Sequence, residues 1–205
     1  MNRRPGLAKG VTIADLAADY ATGIAERFDE PADVLGVSTG GSIALQLAAD
    51  HAPLIRKLIL VSAACRLAPE GRAAQRAVLE RLDQRDPRSA GAVLYRPMGT
   101  DRVTRALWSA LGWALGPTLF ADGVPDMRAV IEAEDRFDLT DRLPDISVPT
   151  LVIGGDRDGF ITPEIFHETA EKLPNGTLRL YRHTGHVGVQ TRPRFVPDIL
   201  LFLNR

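Results

Sequence analysis

Apolar residues recur along this chain in two alternating patterns, short unbroken runs and longer stretches at helical spacing. The runs are Val34-Leu35, Leu58-Ile59-Leu60-Val61 and Leu151-Val152-Ile153; Thr177-Leu178-Arg179-Leu180-Tyr181, interrupted by Arg179, also reads as a strand. Runs with little polar alternation are typical of parallel strands covered on both faces. Ahead of the first, Ile13, Leu16, Ala17, Tyr20, Ile24 and Phe28 repeat every three or four positions. That spacing predicts an amphipathic helix, with Thr12 as its N-cap and Asp15 as the acid of a capping box. Glu30-Pro31 ends it. Further helices are predicted directly after Ser38, from Pro163 to Leu173 and from Arg194 to Leu203. Strands alternating with helices imply an α/β class with about four parallel strands joined by right-handed crossovers, in one domain over residues 1–205.

Between Pro69 and about Leu143 the pattern changes. Arg, Glu, Asp and Ala dominate, with helical spacing in Ala74-Val78-Leu82 and Val103-Leu107-Leu111. This segment is expected to form several helices inserted over the sheet. Trp108, Trp113 and Phe120 fall within it and are candidates for lining an apolar substrate pocket; ordinary core packing accounts for the same residues.

The first strand ends at Gly36-Val37-Ser38-Thr39-Gly40-Gly41, and a helical pattern leaves on the other side. Strand, sharp turn and helix with serine at the apex place a hydroxyl clear of the sheet, and the glycines leave room for the reversal. The helix N-terminus favours negative charge beside that serine, and the Thr39 backbone N–H is placed to donate to an oxyanion. A serine hydroxyl is a weak nucleophile, so the chemistry needs a base and a group to orient it. Asp158 follows the third strand on Gly155-Asp156-Arg157-Asp158, and His186 follows the fourth in Thr184-Gly185-His186. Asp156 and His183 compete for the same two roles. The order serine, acid, histidine is that of a hydrolase triad on a parallel sheet, whose ligands bind beyond the carboxyl ends of the strands.

Composition narrows the alternatives. The 205 residues carry a formal net charge of −1, leaving no basic surplus for nucleic acid. Cys65 is the single cysteine, so no intramolecular disulfide and no Cys/His zinc site is expected. No apolar run is long enough to span a membrane and the first residues do not read as a secretory signal, which makes the cytoplasm the expected location.

Taken together, Leu35 to Gly41, Pro149 to Asp158 and Gly185-His186 resemble the α/β-hydrolase superfamily, in particular serine esterase and lipase-like members with a helical cap. The resemblance runs from about Thr12 to the end. It implies a triad of Ser38, Asp158 and His186, a small acyl substrate, and neither metal nor organic cofactor. In that superfamily several strands precede the nucleophile, and a loop after one of them gives the second oxyanion donor. Here about thirty residues precede it, without histidine or an apolar strand run. A slow enzyme is therefore one expectation, and a nearly inactive binding module or fragment is the rival. An uncovered edge at the first strand suggests a homodimer through it. Lyase and peroxidase chemistry on the same three positions is not separated by sequence.

Overall fold

A computed structural model describes residues 6–121 and 125–205. Its centre is a parallel sheet in the order β1 (Ala32–Val37), β2 (Ile55–Val61), β3 (Thr150–Gly155), β4 (Gly176–Tyr181). Strand neighbours in sequence are neighbours in the sheet, so the chain winds steadily in one direction. Leu58 and Leu60 face one side and Ile59 and Val61 the other, all essentially buried. This two-sided burial is the reason β2 and β3 read as unbroken apolar runs.

Helices α1 (Ile13–Ala25), α2 (Thr39–Asp50) and α7 (Pro163–Lys172) contribute to the larger core on one face; α8 (Phe195–Leu203) covers the other through Phe202. The capping box at the start of α1 forms as predicted: the Asp15 backbone N–H donates to Thr12 Oγ1 at 3.1 Å, and the Thr12 N–H donates to Asp15 Oδ2 at 2.9 Å. β1 pairs with β2 alone among the described residues, and its Leu35 is 47% exposed.

The insertion between β2 and β3 comprises α3 (Pro69–Asp83), α4 (Pro87–Tyr95), α5 (Arg102–Leu119) and α6 (Pro125–Asp135). It carries a small core of its own around Val78, Ala90, Phe120 and Ile131. Helices α4 and α5 approach backbone to backbone through Gly91, Gly112 and Gly116; a Cβ on Gly112 would stand 2.1 Å from the Gly91 carbonyl oxygen. With small residues turned inward, α5 presents Val103, Leu107, Leu111 and Trp113 outward, the tryptophan 50% exposed beneath the Arg88 guanidinium.

The glycines at the β1–α2 turn are not equivalent. A Cβ on Gly36 would meet the Gly40 carbonyl oxygen at 2.4 Å, and one on Gly41 would meet Ala63 Cβ at 2.2 Å. Gly40 faces open space, so the close approach comes from Gly36 and Gly41.

Candidate active site

Ser38, Asp158 and His186 follow the carboxyl ends of β1, β3 and β4, and the parallel order of the sheet brings them to one rim. Ser38 has φ 52° and ψ −126°, a backbone region that costs a non-glycine residue about 1–3 kcal/mol. The turn is held by the Ser38 N–H donating to the Val61 carbonyl at 2.9 Å and by the Gly41 N–H donating to the Ser38 carbonyl at 2.7 Å. Thr39 opens α2, so its N–H lies among those with no intrahelical partner.

Ser38 Oγ lies 2.9 Å from His186 Nε2, and His186 Nδ1 lies 2.8 Å from Asp158 Oδ2. The Asp158 side chain is fully buried, and its other oxygen accepts from the backbone N–H groups of Phe160 at 2.8 Å and Ile161 at 3.2 Å. These bonds fix the carboxylate, which in turn selects the imidazole tautomer with the proton on Nδ1 and a free acceptor toward serine.

The competing pair is occupied elsewhere. Asp156 Oδ1 accepts from the Thr184 N–H at 3.2 Å, and His183 Nδ1 lies 2.9 Å from the Arg157 guanidinium.

Two supports were not visible in the sequence. Ser62, at the end of β2 with φ 48°, donates its hydroxyl to the His186 carbonyl at 2.7 Å. The Phe160 ring centroid stands 4.8 Å from the imidazole. Both residues limit the movement of His186.

Beside the serine opens a cavity of about 400 Å³. Its walls are mainly apolar, including Leu67, Leu94, Met127, Val130 and Ile131, with Ser38, Thr39 and His186 among the polar residues that line it. Trp108, Trp113 and Phe120 do not line it, which corrects the sequence expectation. Trp108 stands with its ring 5.9 Å from that of Tyr95, Trp113 faces outward, and Phe120 fills the core of the insertion. The reason is the glycine seam of α4 and α5, which turns the bulky side of α5 away from the sheet.

Glu134 and Gln75, which no motif in the sequence singles out, also line the cavity. Glu134 is 4% exposed; Gln75 Nε2 donates to its Oε2 at 2.7 Å and Ser42 Oγ to its Oε1 at 3.4 Å. Burial raises its pKa above the ordinary carboxylate value, and hydrogen bonds from Gln75, Thr39 and Ser42 offset part of that rise.

The raised pKa has a consequence for stability. Where the native state holds a proton that the unfolded chain has released, stability falls as pH rises. The contribution is full below the unfolded pKa and is lost as pH passes through the folded one. The Tm of the wild type relative to Glu134→Gln is therefore expected to fall as pH rises above the unfolded glutamate pKa of about 4.3. A difference independent of pH would show that Glu134 titrates normally.

Comparison with known proteins places the chain. Residues 11–188 match the family model described as serine aminopeptidase, S33. The chain belongs to this α/β-hydrolase family. Among its relatives is a pimeloyl-[acyl-carrier protein] methyl ester esterase of Neisseria meningitidis, 30% identical, the match covering 88% of this chain and 71% of the relative. The Mycobacterium tuberculosis protein named as a candidate non-heme bromoperoxidase, BpoC, is 30% identical over 95% of this chain and 76% of its own length. Among solved structures, the α/β-hydrolase enzyme MGS-M2 from a Medee basin deep-sea metagenome library superposes with a TM-score of 0.79 at 18% identity. That match covers 97% of this chain and 74% of the other, and shows the fold. As a member of the family the chain is a hydrolase. Among the described residues no helix is long and apolar enough to cross a membrane, and no group of three or more His, Cys, Asp or Glu could hold a metal ion.

Proposed function

We propose that this hydrolase cleaves a carboxylic ester of a small acyl chain through an acyl-enzyme. Ser38 Oγ attacks the carbonyl carbon while His186 Nε2 takes its proton. Asp158 holds the imidazolium, and the Thr39 N–H donates to the oxyanion. Collapse of the tetrahedral intermediate breaks the bond to the alcohol, which leaves with the proton from His186. Water then adds to the acyl-enzyme by the same route in reverse, releasing the acid and restoring Ser38.

The observation that carries this reading is the unbroken hydrogen-bond chain from Ser38 through His186 to the buried Asp158, opening on an apolar cavity. The esterase named among the relatives supports the ester as substrate. The buried thiol of Cys65 suits a reducing cytoplasm.

The test is hydrolysis of short p-nitrophenyl esters with substrate in excess, followed from the first turnover into the steady state. A burst of nitrophenol equal to the enzyme concentration, absent in Ser38→Ala, is the expected result; turnover retained in Ser38→Ala would remove the reading. The likeness to BpoC favours a second reading, peroxide-dependent bromination at the same site, which a monobromination assay separates from ester cleavage.

The edge of β1 that pairs with no strand among the described residues is proposed as a self-association surface. A dimer in sedimentation that dissociates on Leu35→Lys supports it, and a monomer excludes it.

A further inference from the structure

The cavity beside Ser38 is mainly apolar; besides the groups around Ser38 its polar lining is Arg66, Asp126 and a buried island formed by Gln75 and Glu134. Gln75 is 9% exposed. Its amide is only half used: Nε2 donates to Glu134, while Oε1 is buried with no hydrogen-bond partner in the protein. Among the described residues this is the one buried side-chain oxygen or nitrogen so placed. A buried amide oxygen without a partner costs stability, and an apolar side chain of the same size would avoid that cost. Its presence on the wall of a substrate cavity points to a partner that arrives with the ligand.

The neighbours of the island place it near the reaction. Glu134 accepts from Ser42, whose backbone lies roughly 6 Å along the helix axis from that of Ser38, so the island adjoins the first turn of α2. An acyl chain whose carbonyl sits at Ser38 reaches that turn within a few bonds.

We infer that Gln75 Oε1 is a specificity determinant, accepting a hydrogen bond from a donor on the acyl portion of the substrate, an amide N–H or a hydroxyl. Glu134 is the positioning residue: it holds Nε2, and so leaves Oε1 as the unpaired atom of the amide at the cavity wall. The surrounding wall of Leu94, Met127 and Ile131 gives the rest of the chain an apolar seat. Discrimination of this kind is steep, because a chain without the donor leaves the buried oxygen unpaired in the complex.

The inference rests on the ester-hydrolase reading and is tested apart from it. The p-nitrophenyl esters of N-acetyl-β-alanine and of 5-oxohexanoic acid have nearly the same shape and differ by an N–H in place of a methylene. After correction for their rates of hydroxide hydrolysis, the wild type is expected to favour the amide by about tenfold in kcat/KM. In Gln75→Leu the ratio is expected to fall to within about twofold of unity. Equal rates in the wild type, a preference for the ketone, or a ratio unchanged in Gln75→Leu would each overturn it. Binding of the two methyl esters to Ser38→Ala by calorimetry asks the same question without turnover. A preference for the amide in binding with no hydrolysis by the wild type would leave the subsite standing and remove the ester reading. Hydrolysis of both esters with no preference in either measurement would do the opposite.

Discussion

Replacing Asp158 with asparagine is expected to lower kcat for ester hydrolysis about 10⁴-fold, with the melting temperature nearly unchanged. The asparagine carbonyl can still accept from the Phe160 and Ile161 N–H groups, so the loop keeps its anchor. Its amide nitrogen then faces His186 Nδ1, where Asp158 Oδ2 stood at 2.8 Å. An NH₂ group donates and cannot accept, so the imidazole is driven to the tautomer with its proton on Nε2. That nitrogen then lacks the lone pair needed to take the Ser38 proton. Steady-state kinetics on a p-nitrophenyl ester beside a thermal melt gives both numbers. A loss under tenfold in a well-folded variant would mean that Asp158 does not orient the base.

The largest expected change in stability comes from Gly36→Ala. The new methyl would stand 2.4 Å from the Gly40 carbonyl oxygen and 2.6 Å from Gly41 Cα. Both are backbone atoms at the crossing of β1 and α2, and neither can give way by a rotamer change. Overpacking of this kind costs about 3 kcal/mol. For a chain of this size that corresponds to a fall of roughly 10 °C in Tm. Gly40→Ala is the matched control: it adds the same methyl four residues away into open space on a helix, where alanine gains about 0.5–1 kcal/mol over glycine. A melt of the two variants beside the wild type should show opposite signs. Equal effects would mean that the turn is looser than its contacts suggest.

The contrast between these glycines also shows where sequence reading ends. Glycine at three positions announces a sharp turn, but which of them carries the close approach depends on the path of α2 over β1. The strands were legible because burial on both faces removes polar alternation from Leu58–Val61 and Leu151–Ile153. The first helix was legible from the spacing of its apolar residues and from the Thr12 and Asp15 pair at its start. Ser38, Asp158 and His186 could be paired from sequence because a parallel sheet delivers the ends of its strands to one rim.

The cavity wall was not legible. Helical spacing says that a residue lies on a stripe, and it does not say which stripe faces the sheet. In α5 the answer was set by Gly112 and Gly116, whose inward placement sends Trp113 outward. Gln75 and Glu134 were hidden in a segment rich in charge that reads as solvated. Their signal was position: Gln75 falls on the stripe of Val78 and Leu82, and Glu134 on that of Met127 and Ile131. A polar residue on an apolar stripe marks either a buried contact or a ligand site, and only the three-dimensional neighbours distinguish them.

An activated Ser38 should be marked by a fluorophosphonate, a probe that requires a working base and no particular substrate, and intact mass reads the adduct. One adduct per chain is expected on the folded wild type and none on Ser38→Ala, if Ser38 is the nucleophile. A folded wild type that takes up no probe, or an adduct that persists in Ser38→Ala, would contradict that role.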